Sequence, residues 1–252
     1  MKLGLRTAMV LACCLAIASP AIAGTFVNGG FEDGTFSGWT QGAGYWNGYW
    51  PIIPTDFLPG GPYYNIGYNA SQVVNLGPDP IVGNLLHRVY NGTYAARVND
   101  WYNNNSVSVI SQTVANYTDP HIYFAWAAVL ESSHYSTDSD NFTLMLTDDT
   151  THSVLYHVTY NSYDNGSIFH PYGYWFYTDW QVQDLDVSAM QGDTFTLTLL
   201  GSDCPYGGHA GYVYLDGFGG TIPPPTTPEP GTLAMVGSGA IFAAGWIRRR
   251  FR

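Results

Sequence analysis

Lysine is missing from the long middle of this 252-residue chain. Between Gly24 and Ile222 the only fixed cations are Arg88 and Arg97, set against eighteen aspartates and glutamates, so this stretch carries a formal charge of about −16. A surface so poor in cations repels phosphate backbones, which excludes nucleic acid as a partner. Cysteine is nearly absent: Cys13 and Cys14 lie in the opening apolar stretch, leaving Cys204 without an internal partner. No disulfide can staple the middle, so its stability must come from a core of its own, for which about 200 residues suffice, and from a metal where one binds. The lone thiol is either buried or open to pairing between molecules. Catalytic signatures are lacking too. No glycine-rich loop runs into Lys-Ser/Thr, and no His-Glu-x-x-His occurs. His87, His121, His134, His152, His157, His170 and His209 fall at no recognisable metal-ligand spacing. Eighteen acids offer too many pairs to single out a glycosidase couple. The expectation is that the protein is not an enzyme.

The two ends are built differently from the middle. Lys2 and Arg6 precede the apolar run Ala8 to Ala18 and then the small triplet Ala21-Ile22-Ala23. That order is a secretory signal, residues 1–23, cut by signal peptidase between Ala23 and Gly24. Val10-Leu11-Ala12-Cys13 loosely fits a lipobox and offers a second reading. At the other end, residues 222–230 form a proline-rich linker ending in Pro228-Glu229-Pro230. Gly231 to Ile247 is seventeen residues without a charge, just long enough to span a bilayer as a helix. Arg248, Arg249, Arg250 and Arg252 follow, and the positive-inside rule keeps them in the cytoplasm with the domain outside.

Pro-Glu-Pro, an apolar span and a terminal arginine cluster together resemble the PEP-CTERM sorting signal over about the last 25 residues, with 231–252 as its transmembrane segment and basic tail. The resemblance implies a Gram-negative envelope, processing by an exosortase and a host that often makes exopolysaccharide. The alternative is an ordinary single-pass anchor. Either way the expected location is the cell surface or beyond, after transient anchoring in the inner membrane.

Between the ends, 24–221 reads as one ectodomain without sustained helical periodicity. Phe195, Leu197 and Leu199 alternate with Thr194, Thr196 and Thr198, giving one apolar and one hydroxylic face. Phe142, Leu144 and Leu146 alternate with Thr143 and Thr147, and Ser106 to Val114 and Ser153 to Thr159 have the same character. His121 to Leu130 is apolar on both faces and fits either a buried helix or a central strand. Its aromatics and Pro120 favour the strand. Asp148-Asp149, Asp164-Asn165-Gly166 and Gly192-Asp193 read as turns. Short strands without crossover helices predict an antiparallel β-sandwich.

Asn28-Gly-Gly-Phe-Glu-Asp33 with Phe36-Ser-Gly-Trp39 is similar to the opening strand and turn of galactose-binding-like jelly-roll modules, a group that includes many carbohydrate-binding modules. Asn91 to Val98, Val109 to Val114, Trp180 to Val187 and Tyr212 to Phe218 resemble its later strands. The resemblance implies an all-β antiparallel jelly roll, with an insertion at Gly42 to Tyr68 that departs from the pattern. It also implies a structural Ca²⁺ between Glu32 and Asp216, since two carboxylates and nearby carbonyls supply the oxygens that this ion takes. The other reading makes both solvated turn acids.

Two loop features remain. Tyr45, Trp46, Tyr49, Trp50, Tyr63 and Tyr64 crowd the insertion; flat rings can stack on sugar C–H faces, or else bury one another as a loop core. Asp203-Cys-Pro-Tyr-Gly-Gly-His209 could suggest a thiolate and its base, but it lacks any mark of an orienting group or oxyanion site. The function expected is a non-catalytic surface or matrix protein that binds glycan, with the host's own exopolysaccharide as one candidate. A structural or adhesive envelope protein without small ligand is the alternative, and a secreted hydrolase the weakest candidate.

Overall fold

The computed structural model describes residues 24–132, 134–164 and 166–221. Ala23, Pro228, Glu229 and Pro230, Arg248, Arg249 and Arg250, and the spanning helix expected at 231–247 lie outside the described residues. Among the described residues no helix is long and apolar enough to cross a membrane.

Alternating sequence becomes strand throughout. The order is β1 (Thr40–Tyr45), β2 (Gln72–Asn75), β3 (Pro78–Asp79), β4 (Gly83–His87), β5 (Tyr94–Val98), β6 (Ser106–Val114), β7 (His121–Glu131), β8 (Asn141–Asp148), β9 (Ser153–Asn161), β10 (Phe169–Tyr172), β11 (Trp175–Thr178), β12 (Gln181–Asp186), β13 (Phe195–Ser202) and β14 (Gly211–Gly219). One sheet has the order β1-β6-β13-β8-β9. The other runs β10-β11-β7-β14-β5-β2, with β12 also pairing β7 and β3-β4 forming a separate hairpin. All strand pairings within these sheets are antiparallel, and the result is an all-β jelly-roll sandwich.

The register explains the core. Leu197 sits opposite Leu146 on one side and Gln112 on the other, and Leu199 opposite Leu144 and Ile110. Their side chains point between the sheets and meet Phe124, Trp126, Val213 and Leu215. The opposite face is hydroxylic where the threonines of β13 lie, at Ser111, Thr113, Thr196 and Thr198, and apolar at Val107, Val109 and Leu200. Ser111 pairs with Thr198 at 3.0 Å and Thr113 with Thr196 at 2.7 Å across the two strands.

β7 settles the ambiguity at His121 to Leu130. Phe124, Trp126, Ala128 and Leu130 face the main core, while Ala127 and Val129 join Tyr212, Tyr214, Val82, Leu86 and Val89 in a second cluster. A central strand is apolar on both faces here because the β3-β4 hairpin covers the outer one. Buried Asp79 pins that hairpin. Its carboxylate accepts hydrogen bonds from the Tyr212 and Tyr214 hydroxyls, both at 2.8 Å, and from the amides of Ile81 and Val82, also at 2.8 Å.

Two expectations are corrected. Asn28 to Asp33 is turn rather than opening strand, because Asn28 and Phe31 have φ of 51° and 59°. The departure from the jelly-roll pattern also begins later than Gly42, since Thr40–Tyr45 is β1 and pairs with β6 in full.

Candidate functional site

The turn at Asn28 is assembled from its own polar groups. The Asn28 amide donates to Asp33 Oδ1 at 2.7 Å and to the Thr35 carbonyl at 2.9 Å, and the Trp39 indole donates to the Asn28 carbonyl at 3.2 Å. A bulky residue at positive φ is disfavoured. At Phe31 the cost is offset by burial of the ring, which stacks on Trp39 with centroids 5.1 Å apart. Gly29 is required beside it: a Cβ there would lie 1.7 Å from the Phe218 carbonyl oxygen.

This geometry carries Glu32 across to the segment before β5. Its carboxylate accepts the Thr93 amide at 2.9 Å and the Tyr94 amide at 3.1 Å. Gly92, with φ of 77°, leaves the room, since a Cβ there would fall 2.2 Å from Glu32 Oε1. Asp216 of β14 reaches the same segment from the other side. Its Oδ2 accepts the amides of Tyr90 and Asn91, both at 2.9 Å, while Oδ1 is buried with no hydrogen-bond partner among the described residues. Burial, with Glu32 nearby, pushes the Asp216 carboxyl up to about 7. The structure thus brings Glu32 and Asp216 to one short segment. An orphaned buried carboxylate oxygen beside a second carboxylate fits a hard cation that takes oxygen ligands.

The aromatic insertion splits into two populations. Trp46 is fully buried, and with Ile52 and Phe57 it packs against Val107, Val109 and Leu200 on the outer face of the five-stranded sheet. Its indole N–H donates to the Tyr49 carbonyl at 2.9 Å. Trp46 is therefore no platform for a sugar: a long loop folded over a sheet needs a ring of this size in its own core. Tyr49 stands between the populations, stacked on Tyr63 at 4.7 Å. Tyr45, Trp50, Tyr63 and Tyr64 are 46%, 40%, 41% and 38% exposed and keep part of each ring open to solvent.

The insertion also walls a cleft of about 470 Å³ that sequence reasoning missed. Thr55, Leu58 and Pro59 face Thr40, Ser111, Thr113, Thr196 and Thr198 across it. Its signal was present in the threonine alternation of β13, but nothing local showed that the insertion would fold back over that face.

At the other end of β14, Asp203 organises the loop before Gly211. Its Oδ1 accepts the Asn99 side-chain amide at 2.9 Å, and its Oδ2 accepts the Asn104 and Ser106 amides, both at 3.0 Å. Burial raises its carboxyl to about 7. Cys204 is buried and unbridged.

No curated protein matches this chain in sequence. Among solved structures it is similar to TmCBM61 in complex with β-1,4-galactotriose, at 14% identity and a TM-score of 0.41, over 77% of this chain and 95% of that one. It is also similar to CBM28, a carbohydrate-binding module specific for non-crystalline cellulose, at 15% identity and a TM-score of 0.37, over 78% and 94%. A further likeness is to the enzymatically active domain of bacteriophage CBA120 tailspike protein 4, at 11% identity and a TM-score of 0.35, over 76% and 20%. These likenesses concern the sandwich outline and assign this chain no ligand. The tail is more specific: residues 226–250 match the PEP-CTERM protein-sorting motif, so the chain carries the address of a protein sorted at the cell envelope.

Proposed function

We propose that the protein is an exosortase-sorted surface or matrix protein whose sandwich binds glycan without catalysis, with Ca²⁺ held at Glu32 and Asp216 as a structural ion. The observation that carries the glycan reading is the insertion itself. Together with Tyr45 at the end of β1 it presents four part-open rings, its own being Trp50, Tyr63 and Tyr64, and it walls a hydroxyl-lined cleft. Rings offer apolar faces to pyranose C–H groups, while threonine hydroxyls exchange hydrogen bonds with sugar hydroxyls. A neutral or weakly charged polysaccharide suits a domain with so few cations, since a polyanion would be repelled.

The test is retention of the purified protein on immobilised polysaccharides, the host's exopolysaccharide among them. Trp50→Ala and Tyr64→Ala should weaken retention by about tenfold each, the scale of one lost ring contact, with the melting temperature unchanged. Trp46→Ala should instead lower the melting temperature. Failure of the unaltered protein to bind any polysaccharide would defeat this reading and favour a structural or adhesive role.

A further inference from the structure

The loop from Asp203 to Ala210 closes on itself. The Cys204 amide donates to the His209 carbonyl at 3.0 Å, and the Gly207 amide to the Cys204 carbonyl at 3.3 Å. This brings Cys204 Sγ to 3.7 Å from His209 Nδ1, and the Gly208 amide points at the sulfur from 3.4 Å. A third group arrives from a distant part of the chain. His134 lies just beyond the end of β7, its ring 4.8 Å from that of His209 and nearly perpendicular to it. Its Nε2 is buried and has no hydrogen-bond partner among the described residues. Cys204 Sγ and one ring nitrogen from each histidine all fall within 4.8 Å of one another.

We propose that Cys204, His134 and His209 form a mononuclear site for a thiophilic transition-metal ion of the Zn²⁺ class. Ligand chemistry supports the assignment first. A thiolate with two imidazoles discriminates against Ca²⁺ and Mg²⁺, which take oxygen, and suits Zn²⁺, Co²⁺ and copper. Distances support it next. With Zn–S near 2.3 Å and Zn–N near 2.0–2.1 Å, a tetrahedral ion sets its sulfur and nitrogen ligands about 3.6 Å apart. The Cys204–His209 pair already stands at that spacing, and the remaining edges close by about 1 Å of side-chain rotation. The surroundings support it too. An amide N–H aimed at the sulfur stabilises a thiolate, and Glu131, whose Oε2 accepts the Ala210 amide at 3.0 Å, sets a carboxylate close to the cluster. Three protein ligands leave one position for water. The ion would fasten the end of β7 to the β13–β14 connection, at the end of the sandwich away from Glu32 and Asp216.

The decisive measurement is a Co²⁺ titration of the purified, chelator-stripped full chain followed by absorption. One equivalent should produce tetrahedral d–d bands with a sulfur-to-cobalt charge-transfer band, and Zn²⁺ should displace it while excess Ca²⁺ should not. Cys204→Ser should abolish the charge-transfer band, and His134→Gln should weaken affinity at least tenfold with the circular dichroism spectrum unchanged. The unaltered protein alone can overturn the proposal. An octahedral cobalt spectrum without a sulfur band, or no uptake of Co²⁺ or Zn²⁺ at micromolar concentration, would show that the three side chains merely pack together.

Discussion

Single residues in this protein take their meaning from what is buried around them. Asp140 is fully buried, and its carboxyl is held well above the ordinary range by desolvation, despite a 2.6 Å hydrogen bond donated by the Ser162 hydroxyl. A carboxyl whose folded pKa is raised keeps its proton in the native state after the unfolded chain has lost it. Its contribution is intact below the unfolded value near 3.9 and is lost as pH climbs through the folded value. Urea midpoints should therefore fall from pH 5 to pH 8, and Asp140→Asn should flatten that slope. Equal slopes would contradict the argument. At Asp216 the relevant variable is calcium. At pH 7.5, saturation to about a hundredfold over Kd should add about 2.7 kcal/mol and raise the melting temperature by several degrees. Glu32→Gln should remove the response, and a melting curve indifferent to both calcium and chelator would exclude the ion. The same scale shows why Trp46 and Trp50 were indistinguishable in sequence. Both sit among glycines and tyrosines, and only the docking of the insertion onto Val107, Val109 and Leu200 separates them.

Elements were far more legible. Threonine alternation forecast β13, and β6, β8 and β9 fall within two residues of their expected bounds at each end, because a period of two depends only on neighbours along one strand. Leu197 is a fair probe of that pattern. It is fully buried in the central strand of its sheet, so Leu197→Ala should cost about 2–5 kcal/mol, measured by chemical unfolding. A loss below 1 kcal/mol would mean the strand's apolar face is not in the core. What the pattern could not give was contact across long separations. His134 shares no local motif with Cys204 and His209, and the β3-β4 hairpin gave no hint that it would roof β7. The opening turn was misread for a related reason: a run containing Phe31 looks extended until the aromatic stack that tolerates its positive φ is known.

At the scale of the whole molecule, the sequence separates an anionic sandwich from a sorting tail. Mass spectrometry of the mature protein from its host should find Gly24 at the amino terminus and a carboxyl terminus near Pro228-Glu229-Pro230. Recovery of a form retaining both Met1 and Arg252 as the functional species would contradict sorting and processing together. The cation-poor surface also predicts that glycan retention, being a matter of rings and hydroxyls, should change little when ionic strength is raised.

The position of β14 has a mechanical consequence. It is the last strand of the described residues, and it lies inside its sheet, bonded to β7 on one side and β5 on the other. A molecule held by its carboxyl end while another part of its surface grips a polymer would receive the load along this strand. Tension would then shear two ladders of hydrogen bonds together instead of peeling one from an edge, the arrangement that best withstands a tether under flow.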